Sequence, residues 1–267
     1  MSLILLASVS GAPGVTTTAL NLALSWPRRA MVVEADLSRP SSILPGMYRG
    51  QLDHSRGITP LAIAHQRGSL QVKDLWAQTT QFAKDRYVLP GFATAAAAAG
   101  STAAFWGQFG QALAGAEGAG TDVIVDAGRI GVADPRLPLL QQADLVVVLT
   151  RPLLPDLAAI ASRTEELTAA LEAVGHAERL RAVLVESEFR IYTDKEIATV
   201  MKLPILATLP WHPRTAAVVS LGESPSKATS HSTLTRETAF LANAMIQAIH
   251  GDKTKLGTPI GAGGVQS

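Results

Sequence analysis

The sequence of 267 residues contains no cysteine, and aromatic side chains make up only 5% of it. The absence of cysteine excludes a disulfide framework, a thiolate metal site and a thiol nucleophile. Only six histidines are present and they are scattered, so a histidine-based metal cluster is not expected. The net charge is +1, so the chain as a whole has little electrostatic attraction to nucleic acid or to anionic lipid.

Long hydrophobic runs are missing as well. No segment approaches the ~18 consecutive apolar residues that a membrane-spanning helix needs. The apolar segment 1–9 has no basic residues in front of it and runs into a Gly/Pro turn, which is typical of a buried first strand rather than a secretory signal. We therefore expect a cytoplasmic protein.

Hydrophobic residues account for 47% of the chain and alternate between strand-like and helix-like patterns. Several strand-like runs are apolar on both faces, as in a parallel sheet that helices cover on each side. Their alternation with helical stretches is typical of right-handed βαβ units. We predict one α/β domain over residues 1–250, with a mostly parallel sheet of about seven strands and helices on both faces. The predicted strands are Leu3–Val9, Met31–Glu34, Tyr87–Leu89, Asp122–Asp126, Asp144–Thr150, Arg181–Glu186 and Ile205–Leu209.

Two segments are low in complexity. Residues 93–104 are nearly all Ala, Gly, Ser and Thr, and we expect a loop that runs into a helix. Residues 251–267, rich in Gly, Lys and Thr, follow the last predicted helix, Thr233–His250. This composition cannot bury enough apolar surface to order a chain, so we predict a disordered C-terminal tail over 251–267.

A glycine-containing loop and a helix opened by hydroxyl residues follow the first predicted strand. Residues 10–18 have the sequence SGAPGVTTT. A strand, a tight loop and a helix N-terminus in this order direct backbone N–H groups and the positive end of the helix dipole at an anion. A plain strand–turn–helix with a Ser/Thr cap has the same local pattern. The loop alone therefore leaves phosphate binding and simple capping as alternatives.

The longer segment SGAPGVTTTALNLA resembles the deviant Walker A loop of the ParA/MinD family, KGGxGKTTTA, and aligns with it without a gap. Ser10 stands where that family has its signature lysine, and Val15 stands where it has the P-loop lysine. The main positive charges of the family's phosphate site are therefore missing here. The resemblance implies a P-loop NTPase fold, magnesium binding by Thr16, and a phosphate site formed by Gly11, Ala12, Pro13, Gly14, Val15, Thr16 and Thr17.

Two later segments match the same family in order. Residues 31–36, MVVEAD, resemble its second strand and place Asp36 on the carboxylate that positions the attacking water. Residues 122–128, DVIVDAG, resemble its Walker B strand and place Asp126 on the carboxylate that holds magnesium. An aspartate at a strand end can also simply cap a turn or a helix, so each of these motifs is weak in isolation.

The resemblance extends to residues 203–210, LPILATLP, which match the family's strand and loop beside the adenine and place Pro210 at the base. Glu186 stands where the preceding strand usually ends in the Asn that reads adenine. Trp211 and His212 come next and either line a base pocket or pack as ordinary residues. Residues 11–15 and 64–68 further resemble actinobacterial MinD-like proteins that are similar to Tad-type localisation ATPases.

Three arginines lie at or just after strand ends, where a ligand should bind to a parallel sheet. They are Arg39, Arg129 and Arg151. Each is either a solvated surface side chain or a replacement for one of the missing lysine charges, and the sequence leaves both readings open.

The resemblance implies a nucleotide-binding switch or scaffold that positions a partner assembly in partitioning, in pilus or secretion systems, or in polar localisation. We expect a homodimer that binds ATP or ADP with Mg²⁺ weakly. Hydrolysis should be very slow or absent, because the lysines supply charge to the transition state of phosphoryl transfer. The alternatives are a pseudo-ATPase interaction protein that binds no nucleotide, and an active ParA-like ATPase that binds non-specific DNA.

Two other interactions find little support in the sequence. Arg214, Lys227 and Arg236 are too widely spaced to predict a basic DNA-binding face. Membrane attachment of the MinD type needs a C-terminal amphipathic basic helix, and we do not expect residues 251–267 to form one.

Overall fold

The structure is a computed structural model that describes residues 2–11, 13–117 and 120–257. Eight strands form one sheet in the order β3-β4-β2-β5-β1-β6-β7-β8. All neighbouring strands are parallel except β3 and β4, which are antiparallel. The strands are β1 (Leu3–Ser8), β2 (Ala30–Glu34), β3 (Thr80–Ala83), β4 (Arg86–Leu89), β5 (Asp122–Arg129), β6 (Leu145–Thr150), β7 (Leu180–Val185) and β8 (Ile205–Leu209).

The predicted fold class is confirmed, although the sheet has eight strands rather than about seven. The additional strand is β3, a four-residue edge strand joined to β4 by the two-residue turn Lys84-Asp85. Its side chains are partly buried or exposed, so it lacks the continuous apolar pattern of the central strands. Asp85 has a φ of 57°, a left-handed conformation that tight hairpin turns require.

The described part of the chain contains eleven α-helices. They are α1 (Val15–Ser25), α2 (Ile58–Gln66), α3 (Val72–Ala77), α4 (Ala95–Ala99), α5 (Ala103–Glu117), α6 (Leu137–Gln142), α7 (Leu154–Glu172), α8 (Asp194–Met201), α9 (Pro213–Ser220), α10 (Lys227–Ser230) and α11 (Thr233–Gly257). None of the helices in the described residues is long and apolar enough to cross a membrane.

Two predictions about low-complexity segments need correction. Residues 93–104 are not simply a loop, because they contain α4, whose N-cap Thr94 accepts a hydrogen bond from the Ala97 N–H. The last helix does not end at His250. It continues to Gly257, so the prediction of disorder is wrong for residues 251–257. The ion pair between Arg181 on β7 and Asp252 at 3.1 Å holds this end of α11 to the sheet. The remainder of the predicted tail, 258–267, lies outside the described residues.

The two faces of the sheet each have a hydrophobic core, and β1 contributes to both. Along β1, Leu3 and Leu5 belong to one core whereas Ile4 and Leu6 belong to the other, which is the period-two alternation of a strand buried on both sides. The first core is covered by α2 to α8 and includes an aromatic cluster of Phe92, Phe105, Trp106 and Phe109. The second core is covered by α1, α9 and α11.

The strand order determines where the candidate site lies. Because β1, β2 and β5 are parallel neighbours, their carboxyl ends meet at one edge of the sheet. Ligands of open parallel sheets bind at this edge. The segments that leave it are the loop before α1, the turn after β2 and the end of β5.

Candidate functional site

The loop between β1 and α1 has the backbone of an anion-binding turn. Gly11 and Gly14 have φ angles of 57° and 88°, which glycine adopts without steric cost. Gly14 is the N-cap of α1, no side chain of the described residues caps the helix, and its first turn contains no acidic residue. The positive end of the α1 dipole is therefore left uncompensated by protein charge. Ala12, predicted to bind phosphate, lies outside the described residues.

A cleft of about 460 Å³ opens above this helix N-terminus. Three segments that are distant in sequence line it: the loop between β1 and α1 with the first turn of α1, which we call the P-loop, the turn after β2 and the end of β5. We call it the phosphate cleft, after the ligand that the sequence resemblance implies. It brings together Gly11, Gly14, Val15, Thr16, Thr17, Asp36, Ser38, Arg39, Gly128 and Arg129, with Ser8 beneath them.

The two residues that stand where the ParA/MinD family has lysines are uncharged and have other contacts. Val15 is only 6% exposed and packs into the second core, although it also forms part of the cleft wall. The Ser10 hydroxyl donates to Asp156 Oδ1 at 2.9 Å. No lysine of the described residues lines the phosphate cleft.

Asp126 lies below the cleft and is fully buried. Its Oδ1 accepts the Gly128 N–H at 2.9 Å, and its Oδ2 has no hydrogen-bond partner among the described residues. Burial raises the pKa of Asp126 to about 7, the Thr16 hydroxyl opposes the rise, and the charges of Glu34 and Asp36 add to it. A buried carboxylate oxygen without a partner is costly, so this atom is suited to an additional ligand.

Asp36 is buried at the end of β2 and held by its own turn. Its Oδ1 accepts from the Ser38 N–H at 2.9 Å and from the Ser38 hydroxyl at 2.7 Å. Gly128, with a φ of 55°, packs directly against this carboxylate, and a Cβ atom at position 128 would overlap it. Gly128 and Ser38 were not predicted as site residues, because neither contact can be read from spacing in the sequence.

Arg39 spans the mouth of the phosphate cleft. Its Nε donates to Asp36 Oδ2 at 3.2 Å, and its Nη2 donates to Thr16 Oγ1 at 3.3 Å. The side chain is 51% exposed, so its remaining donors face solvent. Arg129 is exposed and lines the same cleft.

Arg151 lies on the other side of the P-loop. Its Nε donates to Asp156 Oδ2 at 2.8 Å, and its Nη2 lies 3.0 Å from the place where a Cβ of residue 11 would be. Arg151 and Ser10 thus share the carboxylate of Asp156. Asp156 was missed in the sequence, and the only signal for it is an acidic residue in the first turn of α7.

Two side-chain oxygen atoms at this site are suited to bind Mg²⁺, which is fewer than the ion needs without phosphate and water. Mg²⁺ takes oxygen ligands and in nucleotide sites uses one or two protein groups together with phosphate and water. Thr16 Oγ1 and the unpartnered Oδ2 of Asp126 meet that need. No group of three or more His, Asp or Glu side chains in the described residues is arranged to hold a metal without phosphate. Thr16 and Asp126 are therefore the residues that would hold the ion.

A second cleft of about 400 Å³ adjoins the first one. Both share Gly14 and Thr17, but this cleft is mostly apolar and is lined by Pro210 and by Trp211, which is 64% exposed. His212 also lines it, and its Nδ1 is 2.8 Å from the Thr215 hydroxyl. We call it the base cleft. Of the predicted site residues, Pro210 lies here together with Pro13.

Comparison with known proteins gives likeness in structure rather than in sequence. Neither a protein-family model nor a curated protein matches the chain. A ParA family ATPase from Chlorobium tepidum matches with a TM-score of 0.72 at 17% identity, over 91% of this chain and 97% of that one.

Two MinD proteins match as well. The septum site-determining protein MinD from Pyrococcus horikoshii, complexed with Mg-ADP, has a TM-score of 0.69 at 17% identity, over 94% of this chain and 98% of that one. The MinC:MinD cell division complex from Aquifex aeolicus has a TM-score of 0.69 at 13% identity, over 92% and 96%. Likeness at this identity shows the fold alone, and the chain has the α/β fold of the ParA and MinD ATPase structures.

Proposed function

We propose that this chain is a nucleotide-binding switch or scaffold that positions a partner assembly. The observation that carries the proposal is the phosphate cleft, which combines an uncapped α1 N-terminus with Thr16, Asp36 and, beneath them, Asp126. The same three groups are those that the resemblance to ParA/MinD proteins assigns to magnesium and water.

The ligand we propose is ATP or ADP with Mg²⁺. The phosphates would lie over residues 11–17 and the base in the base cleft beside Pro210 and Trp211. The two clefts meet at Gly14 and Thr17, which gives one continuous path for a nucleotide. The MinD structure with Mg-ADP supports this choice of ligand.

Turnover should be very slow or absent. Stabilisation of negative charge on the transferred phosphoryl group is the main catalytic effect in this reaction class, and loss of one contact costs roughly 10²–10³ in rate. Both lysine positions are uncharged here, with Val15 packed in the core and Ser10 bound to Asp156. Asp36 lines the cleft, but both of its carboxyl oxygens already accept hydrogen bonds, from Ser38 and from Arg39.

The role of such a switch is to recruit another protein when nucleotide is bound. The structure of MinD with MinC supports a partner protein, and we propose a homodimer that acts in partitioning, in a pilus or secretion system, or in polar localisation. The second candidate is a pseudo-ATPase that binds no nucleotide. It is favoured by the two uncharged side chains at the lysine positions, Val15 packed in the core and Ser10 bound to Asp156.

Calorimetry with ATP, ADP and a non-hydrolysable ATP analogue, with and without Mg²⁺, separates the two candidates. We expect saturable binding with a dissociation constant weakened roughly tenfold or more relative to a lysine-containing site, because each charged hydrogen bond is worth ~1.5–3 kcal/mol. Gly14→Val, which blocks the left-handed turn, should abolish binding, whereas Gly68→Val, also at positive φ but far from the cleft, should not. Absence of heat for every nucleotide at millimolar concentration would leave only the pseudo-ATPase.

A further inference from the structure

We propose that Arg39 binds the terminal phosphate of the nucleotide, and that Asp36 acts mainly as the residue that positions its guanidinium group. This inference rests on the proposed nucleotide binding. It assigns to Arg39 the charge that a lysine would supply, and to Asp36 a role different from orienting water.

The charge balance of the phosphate cleft requires a cation near Asp36. Glu34, Asp36 and Asp126 lie close together at the ends of β2 and β5, where Glu34 and Asp126 are paired in register. The Glu34 carboxylate is satisfied within the fold by five donors from the serines at 41 and 42 and from backbone N–H groups. Asp36 lines the cleft, and its charge would repel an incoming phosphate unless a positive charge stood between them.

Arg39 is the arginine best held for this task. Its Nε is fixed by Asp36, and one bond from Nη2 reaches Thr16. A guanidinium group has five N–H donors, so three remain, and Nη1 makes no hydrogen bond to the described residues. A fork of free donors on an anchored side chain is the arrangement that binds phosphate oxygens in pairs.

The other two arginines are less suited. Arg151 is paired with Asp156 and lies against Gly11, outside the phosphate cleft. Arg129 lines the cleft, but its side chain makes no hydrogen bond among the described residues. Ordering a free arginine on binding costs side-chain entropy, whereas Asp36 has already oriented Arg39.

The position of Arg39 also has a consequence for magnesium. Its guanidinium lies beside Thr16 Oγ1, the hydroxyl that would ligate the ion. A cation already present at this end of the cleft can neutralise the terminal phosphate without the metal. We therefore infer that nucleoside triphosphate binding in this chain depends only weakly on Mg²⁺.

The test is calorimetric binding of ATP, ADP and AMP to the full chain and to variants. Arg39→Ala should weaken ATP binding roughly tenfold or more, weaken ADP binding less, and leave AMP unchanged. Arg39→Lys should recover part of the loss. Arg67→Ala, an exposed arginine at the end of α2, is the matched control and should bind like the unmodified chain. Removal of Mg²⁺ by EDTA should change the ATP affinity of the unmodified chain by less than about threefold. This change is smaller than the contribution of one charged hydrogen bond.

The Asp36→Asn variant shows whether Asp36 orients the Arg39 side chain or only lies near the phosphate. If Asp36 orients Arg39, this substitution weakens ATP binding, and its effect disappears in the Arg39→Ala background because the two residues act as a unit. If Asp36 only repels phosphate, removal of its charge strengthens binding in both backgrounds and the inference is wrong. Unchanged or tighter ATP binding by Arg39→Ala also overturns it, while nucleotide binding as such stands. No binding by the unmodified chain overturns both.

Discussion

At the scale of single residues, Gly128 controls the position of Asp36. The backbone at Gly128 has a φ of 55°, and a side chain there would overlap the Asp36 carboxyl group. Gly128→Ala should therefore destabilise the protein by ~2–4 kcal/mol, from left-handed strain of ~1–2 kcal/mol together with overpacking. Urea unfolding measures the change. Gly131→Ala, three residues on with open space around it, is the control and should alter stability by less than ~0.5 kcal/mol.

Asp126 should give the metal-free protein an unusual dependence on pH. Its pKa of about 7 in the fold is far above that of an unfolded aspartate, ~3.9. Between these values the native state binds a proton that the unfolded state does not, so this residue lowers stability as pH rises from about 4 to about 7, by at most ~1.4 kcal/mol per unit.

Asp126→Asn removes this titration. Relative to the unmodified chain, the variant should gain stability as pH rises from 4.5 to 7 and keep a constant advantage above about pH 8. Denaturant unfolding in EDTA across that range measures the difference. A difference that does not vary with pH would mean that Asp126 titrates normally.

At the scale of elements, β1, the loop after it and α1 have the backbone of an anion-binding turn without a lysine at either position 10 or position 15. The double substitution Ser10→Lys with Val15→Lys places a lysine at both positions where the ParA/MinD family has one. We expect tighter ATP binding and Mg²⁺-dependent hydrolysis that Asp36→Ala abolishes, because developing charge on the phosphoryl group is again stabilised. Val15 is buried, so thermal unfolding must first show that the variant folds. If the variant folds but still does not bind ATP, the cleft itself does not accept the nucleotide.

Elements differ in how far they follow from the sequence. The central strands and α1 are predictable, since runs such as LVVVLT in β6 are apolar on both faces. In contrast, β3 has only four residues, three partly buried and one exposed, and α4 is five residues long, so neither has enough periodicity to detect. The end of α11 is ordered by Asp252 through Arg181, which is 71 residues away, and no local composition reveals that pair.

The candidate site divides in the same way. That Thr16, Asp36 and Asp126 gather at one edge follows from their places at the ends of parallel strands. The contacts among the side chains at these strand ends do not follow from the sequence. The Arg39 bridge from Asp36 to Thr16 and the sharing of Asp156 by Ser10 and Arg151 depend on side-chain directions that only the folded chain sets.

At the scale of the whole molecule, large apolar side chains are exposed in the segments that leave the carboxyl edge of the sheet. They follow β5, β6, β7 and β8 in turn and are Val132, Leu154, Phe189, Ile191 and Trp211, between 63% and 82% exposed. Exposed apolar groups gathered beside a ligand site mark interaction surfaces. This edge is where we expect the proposed homodimer to form.

Ile191→Glu should therefore abolish dimerisation in the presence of ATP, because a desolvated charge at an interface has no partner. Phe240→Glu on α11, where Phe240 is also 61% exposed, should leave it unchanged. Sedimentation velocity with and without ATP gives the result. A dimer that persists in Ile191→Glu would place the interface elsewhere.

Arg136 joins the ends of β2 and β5 at the carboxyl edge of the sheet. It is almost completely buried, donates to the carbonyls of Ala35 and Arg129 at 2.8 Å and also to that of Ala127, and is paired with Asp134. One guanidinium thus cross-links the chain directly after β2 to the end of β5. These contacts oppose a change in the spacing between Asp36 and Asp126, so we expect that spacing to be the same with and without a ligand. If the proposed nucleotide binds, we expect it to move the side chains of Arg39 and Arg129 and the outer loops rather than these two strand ends.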